Sequence, residues 1–214
     1  MLHAIKPASM SPATAMPRDA APRKRPKPGE RREQILQCLA GMLEEPGAER
    51  ITTAALAQRL QVSEAALYRH FASKAQMFEA LIEFIERSMF GMINQIVQAQ
   101  ESGLVQASRI VQALLGFAEK NAGLCRVMAG DALVGEHARL QVRMNQFFER
   151  VEAALRQSLK LAVEQGATGA EFDPLQRAQL LAAYVSGCLF LFARTGPGCM
   201  SANSVERSLR VLLA

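Results

Sequence analysis

Residues 51–74 constrain the fold of this chain more than any other stretch; they have the sequence ITTAALAQRLQVSEAALYRHFASK. Leu56 and Leu60 repeat at a helical spacing behind a threonine N-cap, and a serine offers a second N-cap after a short break. Leu67 and Phe71 then continue the apolar stripe on the second segment. The pattern predicts two short helices joined by a tight turn. Such a helix-turn-helix can place its second helix in a DNA major groove.

The outer face of the second predicted helix carries residue types that suit DNA. Alanines let a helix backbone approach the base edges and present methyl groups to thymine. Hydroxyl and cationic side chains are suited to phosphate oxygens. The predicted DNA-binding residues are Thr52, Thr53, Ser63, Ala65, Ala66, Tyr68, Arg69, His70 and Lys74. The alternative is a pair of packed helices with an exposed tyrosine, and the whole string VSEAALYRHF weighs against it.

The same stretch resembles the DNA-binding domain of the TetR family of homodimeric bacterial regulators. Three further segments resemble the branch of that family that acts in nucleoid occlusion: 31–37, 81–86 and 146–152. This resemblance covers roughly 31–161 and implies binding to specific chromosomal sites and inhibition of the division protein FtsZ. Gln61 departs from the family, which usually has glycine at that turn position. A left-handed backbone there costs glutamine up to about 1 kcal/mol relative to glycine.

The resemblance also implies a partner site. In this family branch the FtsZ C-terminal tail docks where the long helix after the motif meets the next bundle helix, which here corresponds to 81–86 and 116–121. Phe84 departs from the inward apolar stripe and is expected to anchor an apolar peptide. Lys120, beside Asn121, is expected to pair with an acidic group, less strongly than an arginine would. The alternatives are a core position for Phe84 and a solvated charge for Lys120.

Helical periodicity continues through the rest of the chain. We predict an all-α, TetR-like protein with an N-terminal helix-turn-helix DNA-binding domain and a C-terminal helical dimerisation bundle. A segment at 174–194 is apolar nearly all round, including Leu189, which indicates that another subunit covers it. We therefore expect a homodimer through 136–165 and 174–194. The predicted boundaries are 1–29 for a tail, 30–76 for the DNA-binding domain, and 77–214 for the dimerisation and partner-binding domain.

The net charge of +5 is located in the predicted tail. Residues 1–29 hold six of the nine prolines and six basic residues against Asp19, while the remaining 19 basic and 19 acidic residues balance. Such a segment cannot build a core and is expected to be disordered. A basic arm entering a DNA-binding domain can track phosphates or a minor groove. The alternative is a nonfunctional extension upstream of a start at Met10 or Met16.

Other classes of site find little support in the sequence. No metal-type spacing links the four cysteines, so reduced thiols are expected and neither a metal nor a cofactor is predicted. Asp131, Glu136 and His137 form a small polar group that is expected at a helix start rather than at a catalytic site. The sequence has no phosphate-cradling loop and no nucleophile motif, so we do not expect an enzyme. No apolar run is expected to span a membrane, and no signal peptide is recognised. The expected location is therefore cytoplasmic and nucleoid-associated. The cysteines are Cys38, Cys125, Cys188 and Cys199.

A ligand-gated TetR-type transcriptional repressor is the alternative function. Such a repressor needs a pocket between the middle helices, with polar groups that orient an effector. Leucine, isoleucine, phenylalanine and methionine fill the inward positions of those helices here. This pattern favours an inhibitor of division that acts on double-stranded DNA and on the FtsZ tail.

Overall fold

The computed structural model describes residues 29–45, 51–99, 101–196 and 200–214, and all regular structure in those ranges is helical. The all-α prediction is confirmed. The expectations for the basic tail, for a helix stop at Pro46-Gly47 and for Cys199 lie outside the described residues. The helices are α1 (Glu30–Glu44), α2 (Thr53–Arg59), α3 (Glu64–Tyr68), α4 (Lys74–Gln98), α5 (Gly103–Lys120), α6 (Ala122–Ala129), α7 (Ala138–Glu164), α8 (Pro174–Thr195) and α9 (Ala202–Leu212).

Side-chain caps fix where the helices around the motif begin. Thr52 accepts a hydrogen bond from a backbone N–H at 3.1 Å, Ser63 from one at 3.3 Å and Ser73 from one at 3.2 Å. Asp173 caps α8 in the same way at 2.8 Å, ahead of a proline at the first helical position. Each cap satisfies a donor that has no partner within the helix, so these residues define the starts of α2, α3, α4 and α8.

One long helix, α4, joins the motif to the bundle. Its buried face includes Met77, Phe78, Ile82 and Ile85, which pack into a core continuous with α1, α5, α6 and α7. The bundle helices approach closely where side chains are small. A Cβ at Gly103 would lie 2.0 Å from the carbonyl oxygen of Ser158, so glycine is required where α5 meets α7.

The structure corrects the expected role of Leu189 on α8. This residue is fully buried in its own subunit, and its carbonyl oxygen accepts a hydrogen bond from the Cys125 thiol at 3.6 Å. The exposed apolar residues of α8 are Leu175, Leu180, Phe190 and Leu191, and the last two are 48% and 49% exposed. The inner and outer faces of α8 are thus both apolar, and only the outer face is available to a second subunit.

Within the described ranges, α8 is the one helix that is long and apolar enough to cross a membrane by length and composition. The expectation that no run reaches this threshold is therefore wrong. About a third of the qualifying stretch is buried inside the subunit. The same apolar composition is expected of a helix that packs against α7 on one face and against a partner subunit on the other. Length and composition are therefore weak evidence for a membrane span.

Candidate DNA-binding surface and partner groove

The turn between α2 and α3 has the left-handed backbone that the family resemblance implied. Gln61 has a φ of 54°, the single positive φ outside glycine among the described residues. The amide of Gln61 donates to the carbonyl of Gln58 at 3.0 Å, and the amide of Val62 donates to that of Ala57 at 3.0 Å. This pair of bonds closes the end of α2 as a Schellman motif, which requires a left-handed residue at this position.

Replacing Gln61 by glycine should raise the free energy of unfolding by about 0.5–1 kcal/mol, because glycine adopts this φ without steric cost. Chemical denaturation measures the change. Gln58→Gly is the matched control, since Gln58 is exposed in helical backbone of the same turn. That substitution should lower the free energy of unfolding by about 1 kcal/mol. Equal destabilisation by both variants would contradict the account of the turn.

The recognition helix α3 presents its predicted side chains to solvent. Ala65, Arg69 and His70 are exposed and Tyr68 is 46% exposed, whereas Leu67 packs inward. The polar residues of α2 and α3 also bond to one another. The Thr53 hydroxyl donates to a Glu64 carboxylate oxygen at 2.6 Å. The Tyr68 hydroxyl in turn donates to Thr53 Oγ1 at 3.4 Å. The hydroxyls of Thr53 and Tyr68 therefore lie together, although that of Thr53 already donates to a carboxylate.

A hollow of about 230 Å³ lies where α1 meets α3 and adds a cation that the predicted residue list lacked. Arg31, Arg69, His70 and Ala66 are among its lining residues. Nearby, the guanidinium of Arg32 lies over the Phe71 ring at 4.6 Å and ties α1 to the end of α3. A cluster of cationic side chains at one hollow suits a phosphate backbone. In the sequence, Arg31 stood out only as part of the family likeness at 31–37 and as a neighbour of the basic arm.

Lys74 differs from the other predicted DNA-binding residues. Its ammonium forms an ion pair with Glu136 in the loop before α7 and lies 5.6 Å from the centre of the Phe78 ring. Both side chains of the ion pair are largely buried. The sequence gave no sign of this pairing, because the two residues are 62 positions apart.

The predicted partner residues lie around the junction of α4 and α5. Phe84 is 44% exposed, and its ring centre is 6.4 Å from that of Phe117 on α5. The Asn121 side-chain amide donates to the Phe117 carbonyl at 2.7 Å. Lys120 is exposed in the last turn of α5. The core alternative for Phe84 does not fit this exposure; the role of these residues in binding stays a prediction.

A groove of about 540 Å³ extends from Phe84 towards α1. Its floor is apolar, with Leu36 from α1, Leu81 from α4 and Leu124 from α6, and Arg87 is among the charged residues on its rim. Asn121 also lines it. The sequence did not reveal that α1 lines this groove, because its periodicity indicates only that Leu36 faces inward.

The remaining candidate groups have structural partners. The His137 ring nitrogen Nδ1 accepts from the Arg139 amide at 3.3 Å and caps α7, as the sequence predicts. Asp131 pairs with Arg126 at 2.8 Å. Burial raises the pKa of the Cys38 thiol, which favours the protonated, unreactive form. No cluster of three metal-ligating side chains occurs in the described part of the chain.

Two family models match this chain, one over the helix-turn-helix and one over the helical bundle. Residues 35–81 match the model for bacterial regulatory proteins of the tetR family, and residues 101–208 match the tetracyclin repressor-like C-terminal domain. The first match contains α2 and α3 with the exposed face just described. This chain belongs to the TetR family. The second match spans helices α5 to α8 and part of α9.

Curated relatives place the chain in one branch of the TetR family. It is 48% identical over 166 residues to the nucleoid occlusion factor SlmA of Alteromonas mediterranea, covering 78% of this chain and 85% of the relative. It is 55% identical over 141 residues to that of a Marinomonas species, covering 65% and 72%. For the Vibrio vulnificus protein the identity is 50% over 171 residues, with 79% and 87% covered.

Solved TetR-family structures share the fold at much lower identity. The regulator PfmR from Thermus thermophilus aligns with a TM-score of 0.71 at 22% identity, covering 84% of this chain and 97% of PfmR. The ketosteroid regulator KstR2 of Mycobacterium tuberculosis aligns with a TM-score of 0.69 at 19% identity, covering 86% and 94%. These similarities establish the architecture alone.

Proposed function

We propose that this chain is a nucleoid-occlusion factor: a dimeric, sequence-specific DNA-binding protein that inhibits FtsZ assembly over the chromosome and so regulates cell division. The observation that carries the proposal is 48–55% identity to curated SlmA proteins over most of the chain. The protein then acts in the cytoplasm, on the nucleoid. Residues 30–76 form the DNA-binding domain, and 77–214 provide dimerisation and partner binding.

The DNA-binding surface in this proposal is the exposed face of α3 with the caps around it. Ala65 and Ala66 allow close approach to base edges, while Tyr68 and Arg69 contact phosphates. Thr52, Thr53, Ser63 and His70 complete the surface. Lys74 lies at the edge of this surface, at the start of α4, where its ammonium also pairs with Glu136.

The partner surface in this proposal is centred on the half-exposed Phe84 and the partly buried Phe117, at the junction of α4 and α5. Phe84 and Phe117 offer apolar area to the FtsZ C-terminal tail, and Lys120 and Asn121 offer a cation and an amide at its edge. Large aromatic side chains that are half-exposed and flanked by a groove are typical anchors for a bound peptide. Phe84 lies at the edge of the buried stripe that holds α4 to the bundle, and it lines the groove together with Ala80 and Leu81.

Phe84→Ala should weaken binding of a labelled FtsZ C-terminal peptide by about thirtyfold, which corresponds to about 2 kcal/mol for a truncated anchor. Lys120→Asp should also weaken binding, by reversing the charge offered to an acidic segment. Fluorescence anisotropy measures both, with and without DNA. Val211→Ala and Arg207→Asp on the exposed face of α9 are matched controls. DNA affinity should remain close to that of wild type in all four variants.

Two results would count against this proposal in different ways. If the wild-type protein binds no FtsZ peptide in either condition, inhibition of division is wrong. If Phe84→Ala and Lys120→Asp lose DNA binding as well, these residues serve the link between the domains and the partner surface lies elsewhere.

The interior of the helical bundle gives less support to the alternative function, a ligand-gated repressor. The buried polar side chains among the described residues are Gln106 and Ser158, and they bond to each other at 3.1 Å. They border a hollow of about 370 Å³ at the far end of the bundle, between α4, α5 and α7. That size lies near the lower limit for effector pockets, about 300–1,000 Å³. Because the polar pair is already satisfied, it offers an effector little to bind.

A further inference from the structure

The DNA-binding domain has no net charge of its own. Between residues 30 and 76 the sequence contains six basic and six acidic residues, so the two signs cancel. Two of the cations also interact within the subunit: Arg59 forms an ion pair with Glu45, and the Arg32 guanidinium lies over the Phe71 ring. Non-specific attraction to DNA arises from the neutralisation of phosphates by lysine and arginine, so a domain without net charge gains little from it.

The structure places the start of α1 beside the recognition helix α3. Arg31 on α1 lines the same hollow as Arg69 and His70, which belong to the predicted DNA-binding face. Gly29, the residue that precedes α1, is two positions from Arg31. The preceding part of the chain therefore joins the DNA-binding domain next to the surface that faces DNA.

The positive charge that the domain lacks is concentrated directly before this point. Four of the six tail cations form a run without an acidic residue, which we call the basic arm. The basic arm consists of Arg23, Lys24, Arg25 and Lys27. Even a fully extended chain spans only about 3.3–3.6 Å per residue, so Lys27 lies within about 7 Å of Gly29 and Arg23 within about 22 Å. The whole arm is thus within reach of phosphates beside α3.

We propose that the basic arm contacts DNA phosphates beside the recognition helix and supplies most of the protein's non-specific affinity for DNA. This inference rests on the DNA binding included in the proposed function. Phosphate contacts carry no sequence information, so the arm holds the protein on the chromosome between specific sites without choosing among them. The arm follows both Met10 and Met16, so it is present whichever of these positions begins the chain.

The salt dependence of DNA binding measures the contribution of the arm. Arg25→Gln with Lys27→Gln removes two phosphate contacts from each subunit, and each contact contributes about 0.9 to the slope of log affinity against log salt. For a dimer the slope should therefore fall by about 3.6, and the affinity at about 0.1 M salt should fall by at least about a hundredfold. The loss should be equal for the preferred site and for DNA without a site, which leaves the specificity ratio unchanged.

The matched control is Arg207→Gln with Arg210→Gln, which removes the same charge from the exposed face of α9. Its slope and affinity should equal those of wild type. Arg25→Lys keeps the charge of the arm and should leave binding to both kinds of DNA unchanged. The experiment is a fluorescence-anisotropy titration of the full chain at several salt concentrations, on labelled duplexes with and without the preferred site. Thermal unfolding of every variant should match that of wild type.

Three results would overturn the assignment. An unchanged slope for the Arg25 and Lys27 variant would mean that the arm does not contact phosphates. A loss confined to the preferred site, caused by Arg25→Lys, would instead indicate that the arm reads bases in a minor groove. Gly29 also lines the partner groove. Tighter binding of an FtsZ peptide by the neutralised variant, without any change in DNA affinity, would therefore place the arm on that groove.

Failure of the proposed function gives a different result. A wild-type protein that binds all DNA alike, with a slope that falls in the Arg25 and Lys27 variant, would support the arm. The absence of a preferred site would at the same time contradict sequence-specific nucleoid occlusion.

Discussion

Replacing Phe190 or Leu191 by glutamate should convert the protein from dimers into folded monomers. Both residues are about half-exposed on the outer face of α8, where the structure leaves apolar surface for a second subunit. Glutamate at position 191 would place an unpaired charge in the dimer interface, at a cost of about 3–5 kcal/mol for each buried charge; at position 190 the nearby Arg194 would offset part of that cost. Since each dimer carries two copies, dimerisation should weaken by more than about a thousandfold.

Sedimentation velocity at micromolar concentration measures this change. Val211→Glu is the matched control, because Val211 is an exposed valine on α9 and should tolerate a charge. Leu189→Glu should behave differently and unfold the subunit, since Leu189 is fully buried within it. A wild-type monomer at this concentration, or glutamate variants that remain dimers, would refute the interface on α8.

Ala65→Glu should abolish specific DNA binding at moderate salt. Ala65 is exposed near the start of α3, where a methyl group lets the helix approach the base edges. A carboxylate there would add bulk and repel the phosphates. A lost or mismatched base contact costs about 1–3 kcal/mol, and both half-sites of a dimer are affected, so the affinity should fall by roughly a hundredfold or more.

A gel shift on the preferred DNA site measures the effect of Ala65→Glu. Gln112→Glu supplies the matched control, since it adds the same charge on the exposed face of α5, away from the motif. Circular dichroism of both variants should match that of wild type. Unchanged affinity for Ala65→Glu would mean that α3 does not face the DNA.

Local sequence signals predicted much of the fold and the motif. The caps at Thr52 and Ser63 depend on residues a few positions apart, so the sequence reveals them directly, whereas the left-handed turn at Gln61 was inferred from the glycine that the family usually has there. The exposure of Phe84 followed from its departure from a helical stripe in the same way. These features need no knowledge of tertiary packing.

Features that depend on packing between distant segments could not be predicted in this way. A helix that is apolar on all faces does not show which face meets its own bundle, so Leu189 was assigned to the wrong side. The ion-pair partner of Lys74 is a loop residue far along the chain, so the sequence around Lys74 could not reveal it. The α1 wall of the groove at Leu36 depends on how α1 crosses α4, which periodicity does not specify.

Chromosomal occupancy, mapped by crosslinking and sequencing of the bound DNA, tests the central claim most directly. Nucleoid occlusion requires that the protein mark DNA over much of the chromosome, so that FtsZ is inhibited wherever the nucleoid lies. The account predicts many sites that are scattered across the chromosome and absent near the replication terminus. A single site, or a few sites beside one operon, would contradict it and identify a transcriptional repressor.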